Sequence, residues 1–395
     1  MPSSRRPLAT LALAGALCAA PAPAAERAAE QITPLLLQTL SAPVPLSGSD
    51  GRKHLVYELW ITNASSADAV LERLEVLDGE HVLLTLEGPA LAARLRPGAN
   101  GEPTAMLGRY MQSFAALHIS LSPGTAVPQQ LTRRVRAQAL AAPPGQQQVE
   151  HVGGGVAVDR REVVLIGPPL LGEGYIAGDS SCDAVRHTRA ALPVNGRIRV
   201  AQRFAVDWEQ LDAQGRIYNG PQHALSSYTI YGQPALAVAD ARVVSVVDGL
   251  PEQTPGSYPR DISLDQADGN SVVLDLGGQH FALYAHLQPG SITVKAGEQV
   301  RRGQVLGKVG NTGNSVAPHL HFHVMDGPLP VDANGLPYAI DSFWITGHAA
   351  STEAFDTAEA KGTPLARTAV DPPQKVTRSL PMDLSIVRFG SSSRP

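Results

Sequence analysis

The sequence predicts a mostly β protein, a β-sandwich-like domain followed by a compact antiparallel β domain, and three observations carry that expectation. The chain holds 37 glycines and 32 prolines but only 5 % aromatic residues, a composition suited to short strands joined by tight turns. Apolar runs such as Leu55-Val56-Tyr57-Glu58-Leu59-Trp60-Ile61 and His81-Val82-Leu83-Leu84-Thr85-Leu86 are bounded by Asn63-Ala64-Ser65-Ser66 and Asp78-Gly79, the alternation and turn spacing of a sandwich. From about Arg161 the runs become richer in β-branched residues, as in Arg242-Val243-Val244-Ser245-Val246-Val247 and Ser271-Val272-Val273-Leu274, and are broken by Asp248-Gly249, Asp268-Gly269-Asn270 and Gly277-Gly278.

Residues 1–25 read as a secretory signal peptide, with Arg5 and Arg6 ahead of an apolar stretch from Leu8 to Ala20 and a small-residue exit at Ala22 to Ala25. Pro21 and Pro23 interrupt the run before it reaches bilayer length. Leu17 ahead of Cys18 is a poor fit to lipoprotein processing. Cleavage would leave Cys182 as the sole cysteine, which excludes an internal disulfide and a cage of thiolates. The expected location is the periplasm or the outside of the cell.

Residues 42–159 make the sandwich-like domain. Nothing in it clusters His, Asp or Glu at ligand spacing, and Gly153-Gly154-Gly155 reads as a flexible turn. Residues 161–347 make the second domain. Residues 348–395, rich in Ser, Thr, Ala and Pro with scattered charge, read as a poorly ordered tail. With 32 Lys+Arg against 36 Asp+Glu the formal net charge is -4, which argues against a broad basic surface for nucleic acid. No later run is long enough to span a membrane. A phosphate-binding loop, a nucleophile elbow and a His-Glu-x-x-His helix are all missing.

The chemistry-bearing signal is Pro318-His319-Leu320-His321-Phe322-His323. Alternate residues of a strand share one face, so three imidazoles would project in one direction. A metal relieves the repulsion such a row suffers on protonation, because it binds the neutral form. Tyr284-Ala285-His286-Leu287 closes an apolar strand ahead of Gln288-Pro289-Gly290, which sets His286 at a strand end where it can overhang a groove and serve as a base or hydrogen-bond donor.

Three further segments extend the pattern: Gly232-Gln233-Pro234-Ala235-Leu236-Ala237-Val238-Ala239-Asp240-Ala241-Arg242-Val243-Val244, then Val300-Arg301-Arg302-Gly303-Gln304-Val305-Leu306-Gly307, then Gly310-Asn311-Thr312-Gly313-Asn314-Ser315. Together with the two histidine elements, they make residues 187 to 344 resemble the lysostaphin-type, LytM-like zinc peptidases, secreted enzymes that cut peptide cross-bridges in bacterial cell walls. The resemblance implies a lysostaphin-like antiparallel β domain with an open groove holding one Zn2+. It makes His321 a metal ligand and His319 and His286 catalytic partners. The Val300 to Leu306 segment also resembles a biotinyl or lipoyl carrier hairpin, but no turn nearby presents the lysine such a carrier needs.

The upstream metal element, His-x-x-x-Asp in the family, departs from the pattern. In Arg203-Phe204-Ala205-Val206-Asp207, Asp207 fits the carboxylate ligand, while Arg203 stands where the histidine belongs and cannot coordinate. The competing alignment makes His223 the ligand but leaves Ser227 at the carboxylate position. A zinc site takes three protein ligands plus an open position, so either His223 or its substitute His187 has to join Asp207 and His321. His323 also replaces the acid that follows the family's His-Leu-His-Phe. Two functions follow from these residues: a secreted zinc metalloendopeptidase acting on peptidoglycan peptides, or a catalytically inactive groove that binds wall peptide or a partner protein.

Overall fold

The sandwich-like half is assembled from two five-stranded sheets whose apolar rows face each other. In one, Leu35–Thr39, Lys53–Asn63, Gln112–Leu121 and Leu95–Pro97 lie side by side with Leu46–Ser47 against Lys53–Asn63. In the other the order is Gln148–Ala157, Gln130–Ala139, Ala69–Asp78, His81–Glu87, with Met106–Leu107 on Ala69–Asp78. Leu55, Tyr57, Leu59 and Ile61 from the first sheet meet Leu71, Leu74, Val76, Leu131 and Val135 from the second in a dry core, as period-2 alternation requires. This is a computed structural model, and it describes residues 33–98, 101–182, 187 and 190–390. The expected signal peptide lies outside the described residues.

The Lys53–Asn63 strand is buried on both faces. Its second face, which includes Val56, Glu58 and Trp60, packs on the remainder of the chain. Trp60 joins Phe114, Ala116, Ala191 and Val200 in one apolar cluster. Glu58, 1 % exposed, accepts from Arg203 Nε at 2.7 Å, and a second Arg203 nitrogen completes a bidentate pair. Such forked geometry is what a buried ion pair needs to offset desolvation.

The second half is organised by a twelve-stranded sheet. Its order runs Val164–Ile166, Tyr338–Ala349, Ser385–Phe389, Gly172–Gly178, Val206–Gln210, Leu320–Met325, His280–Leu287, Asn270–Gly277, Ala241–Val247, Gln299–Val300, with Gly335–Leu336 on Leu320–Met325 and Arg367–Ser379 on Tyr338–Ala349. One pairing, Val164–Ile166 on Tyr338–Ala349, is parallel. Trp208, Leu320, Phe322, Val324 and Tyr284 point from one face of this sheet into the largest core. Strand makes up 49 % of the chain and helix 7 %, with antiparallel pairing throughout most of it, in agreement with the mostly β expectation. No helix among the described residues is long and apolar enough to cross a membrane.

Two expectations are corrected. Residues 348–390 are ordered: helix Thr352–Lys361 is followed by strands Arg367–Ser379 and Ser385–Phe389, both paired to Tyr338–Ala349. The helix has its own punctuation, with the Ser351 hydroxyl accepting from the Ala354 amide and Gly362 closing it at φ 64°. Pro372 and Pro373 are tolerated because the ladder skips them, the register shifting between Ile345 and Gly347. Gly153-Gly154-Gly155 is no free turn either. It forms a bulge within Gln148–Ala157, where Gly154 has φ 64° and a side chain would strike Leu37 at 2.7 Å.

Candidate metal centre

Pairing of three neighbouring strands builds the centre. Asp207 on Val206–Gln210 lies opposite His321 on Leu320–Met325, and His321 lies opposite Ala285 on His280–Leu287. Residues opposite one another share a face, so Asp207 and His321 point the same way, with His319 and His323 two positions on either side. The residues alternating with them, Leu320 and Phe322, turn to the opposite face and are in the core. This is the physical outcome of alternating His with Leu and Phe.

His286 follows Ala285, so regular alternation would send it to the core face. Its φ of 62° reverses the chain locally, an uncommon conformation for a non-glycine residue. The ring thereby reaches the groove, 4.7 Å from that of His319 and 5.9 Å from that of His321. Its Nδ1 bonds the Thr312 carbonyl at 2.7 Å, which requires the proton on Nδ1 and leaves Nε2 unprotonated. Burial, reinforced by His319 and His321, holds its pKa well below the ordinary imidazole value. His319 is held in the same manner, Nδ1 to the Ala317 carbonyl at 2.8 Å.

Asp207 gathers three imidazoles. Its Oδ1 is 2.8 Å from His321 Nδ1 and 3.5 Å from His319 Nε2, and its Oδ2 is 3.2 Å from His187 Nε2. One donor atom from each of His187, Asp207 and His321 lies within 4.8 Å of the others, as is true of His286, His319 and His321. His187, 5 % exposed, bonds the Asp179 carbonyl through Nδ1 at 2.8 Å, which turns Nε2 toward Asp207. His321 Nε2 meets His323 Nδ1 at 3.0 Å. Each imidazole nitrogen of His187 and His321 that faces Asp207 therefore has its opposite nitrogen fixed by a partner, the arrangement that would orient imidazole ligands. Burial, with the charges of His321 and His187, keeps His323 well below its ordinary pKa, as a neutral ring against His321.

His223 does not take part. It is exposed on the turn ahead of Leu225–Ser227 and does not line the groove. His187 arrives instead from the segment after Gly172–Gly178. Arg203 is turned away to Glu58, and Gln202 is the residue of that turn that lines the groove. The groove, about 230 Å³, is also walled by Tyr258, Asn314, Phe355 and Glu359. The last two belong to the helix that the sequence reading missed, although Ser351 and Gly362 signalled it.

Residues 222–333 match the description "Peptidase family M23". The chain contains a peptidase family M23 domain. The matched span of this M23 domain includes His286, His319 and His321 but begins after Asp207. Curated relatives include peptidoglycan DD-endopeptidase ShyA of Vibrio cholerae, 43 % identical over 65 residues, 16 % of this chain and 15 % of that protein. Glycyl-glycine endopeptidase ALE-1 of Staphylococcus capitis is 32 % identical over 109 residues, 28 % of this chain and 26 % of that protein. Lysostaphin of Staphylococcus simulans is 43 % identical over 110 residues, 28 % of this chain and 19 % of that protein. The chain thus covers about a quarter or less of each of these relatives. The solved catalytic domain of lysostaphin aligns with 42 % of this chain and 88 % of its own at 24 % identity, with a TM-score of 0.23.

Proposed function

We propose that this protein is an exported, zinc-dependent metalloendopeptidase that hydrolyses peptide bonds in peptidoglycan. The observation that carries the reading is the convergence of His187 Nε2, Asp207 and His321 Nδ1 in a groove that also holds His286 and His319. Two imidazoles and one carboxylate are a donor set that fits a catalytic zinc with an open position. Zinc held there would supply a Lewis acid that activates water and polarises a carbonyl.

The remaining chemistry belongs to the chain. His286 offers a neutral Nε2 to take a proton, since the Thr312 carbonyl fixes the tautomer. His319, its Nδ1–H held by the Ala317 carbonyl, would donate from Nε2 to charge developing on the substrate carbonyl when its ring is doubly protonated. Phe355 and Tyr258 give the groove an apolar wall against which an extended peptide can lie. The names of the relatives above support peptidoglycan as the substrate class.

The test uses isolated sacculi and the purified full chain. The expected result is release of soluble peptide-bearing fragments that stops with chelator, returns with zinc and is lost with His321→Ala. Release indifferent to both chelator and His321→Ala would refute the reading. Sacculus binding without release would favour the inactive groove.

A further inference from the structure

A second set of metal-donor atoms lies between the sandwich and the groove-bearing domain, on residues the M23 match does not reach. The pairing of Lys53–Asn63 with Gln112–Leu121 sets His54 opposite Ser120 and Val56 opposite His118. The two histidines are therefore diagonal neighbours on the face turned away from the sandwich core. Cys182 covers them. His54 is 1 % and Cys182 3 % exposed, and one donor atom from each of His54, His118 and Cys182 lies within 4.8 Å of the others. No spacing in the sequence announces this set, because its members come from three separate segments, one of them outside the sandwich.

The tautomer of His54 decides what the cluster can do. Its Nε2 is 3.0 Å from Asp50 Oδ1, and a carboxylate accepts, so the proton sits on Nε2 and the Nδ1 lone pair faces His118 Nε2 at 2.9 Å. Two imidazole nitrogens so placed share either a proton or a cation. A carboxylate behind one imidazole is the arrangement that orients metal-binding histidines. Gly48 leaves room for it: a side-chain carbon there would lie 2.6 Å from Asp50 Oδ1, from His54 Nε2 and from Met382 Sδ.

We propose that His54 Nδ1, His118 Nε2 and the Cys182 thiolate form a second metal site, independent of the groove, that takes Zn2+. Imidazole with thiolate selects zinc over the hard cations that carboxylates and carbonyls favour. Bound there, the ion ties the sandwich to the groove-bearing domain and anchors the chain five positions before His187.

Cobalt is the probe, because thiolate-to-cobalt charge transfer gives a near-ultraviolet band that the His187, Asp207 and His321 set, lacking sulfur, cannot give. The full chain, stripped with chelator and reloaded with Co2+, is expected to bind two ions and show the band. His321→Ala should bind one and keep the band, Cys182→Ser should bind one and lose it, and Cys18→Ser should keep both. Asp50→Asn, at an exposed carboxylate that removes no donor atom, should weaken the band's cobalt affinity roughly 10–100-fold. A wild-type chain without the band, a band surviving Cys182→Ser, or an affinity unmoved by Asp50→Asn would each overturn the assignment.

Discussion

Zinc binding at the groove should be coupled to the loss of one proton from His187. In the metal-free protein burial opposes charge on this imidazole, but Asp207 at 3.2 Å outweighs burial and, with the Asp179 carbonyl, raises its pKa to about 9. Asp207 is held well below the ordinary carboxylate range: burial works against its charge, and His187 and His319 overcome that. It therefore has no proton to give up at neutral pH. A metal requires the neutral imidazole. At pH 7 only about 1 % of His187 is neutral, so zinc works against a protonation penalty of roughly 3 kcal/mol.

The apparent Kd should accordingly tighten about tenfold per pH unit from pH 7 to 9 and level off above. The assay is titration calorimetry of the Cys182→Ser protein in two buffers of different ionisation enthalpy, which counts the proton directly. The stability of the metal-free protein follows the opposite sign. The His187 contribution is fully present below the ordinary pKa of about 6.5 and is lost as pH rises through about 9. A Kd flat across pH 7–9 with no proton released would refute the ion-pair account.

Replacing His286 or His319 with Ala should leave the groove's zinc content unchanged, as measured by elemental analysis, while sacculus hydrolysis falls roughly 10²–10⁴-fold; loss of zinc would make either one a ligand instead. Arg203→Ala strands the buried Glu58 carboxylate and should cost about 3–5 kcal/mol in urea unfolding, most of it recovered in Arg203→Met with Glu58→Leu; a cost under about 1 kcal/mol would mean Glu58 finds water. His223→Ala, at an exposed turn, should alter neither zinc content nor hydrolysis, and a loss of zinc would reinstate it as a ligand.

The legible part of the centre was local. His319, His321 and His323 share a face because strand geometry has period two, and that face is settled by Leu320 and Phe322 alone. His286 was legible as a strand-end residue, though the φ of 62° that returns its ring to the groove was not. Long-range pairing was out of reach of periodicity: Asp207 and His321, 114 positions apart, were joined only through the family resemblance, and nothing in the sequence joined His54, His118 and Cys182. The helix Thr352–Lys361 was missed for another reason. Its Ser351 and Gly362 punctuation is present, but the surrounding Ser, Thr, Ala and Pro composition masks it, and the apolar stripe is short, with Phe355 and Ala358 as its buried residues.

The departure at position 203 follows from how the sandwich is attached. A histidine at that position in the family pattern would stand four residues before the carboxylate ligand, yet here the side chain at 203 runs to Glu58 on the sandwich and toward the Gly335 carbonyl. A forked guanidinium can satisfy a buried carboxylate and a single imidazole cannot, so docking the sandwich on this turn and supplying a ligand from it are competing uses of one residue. The Asp179 carbonyl and the Asp207 carboxylate instead hold His187, from the preceding segment, against Asp207, where the proposed zinc would take it. Arg203→His in a His187→Ala background should therefore fail to restore zinc, because the backbone at 203 directs its side chain to the sandwich. Recovery of stoichiometric zinc in that double variant, read by elemental analysis in the Cys182→Ser protein, would show instead that the turn can swing to the groove and that sequence identity at 203, rather than the attached sandwich, moved the ligand.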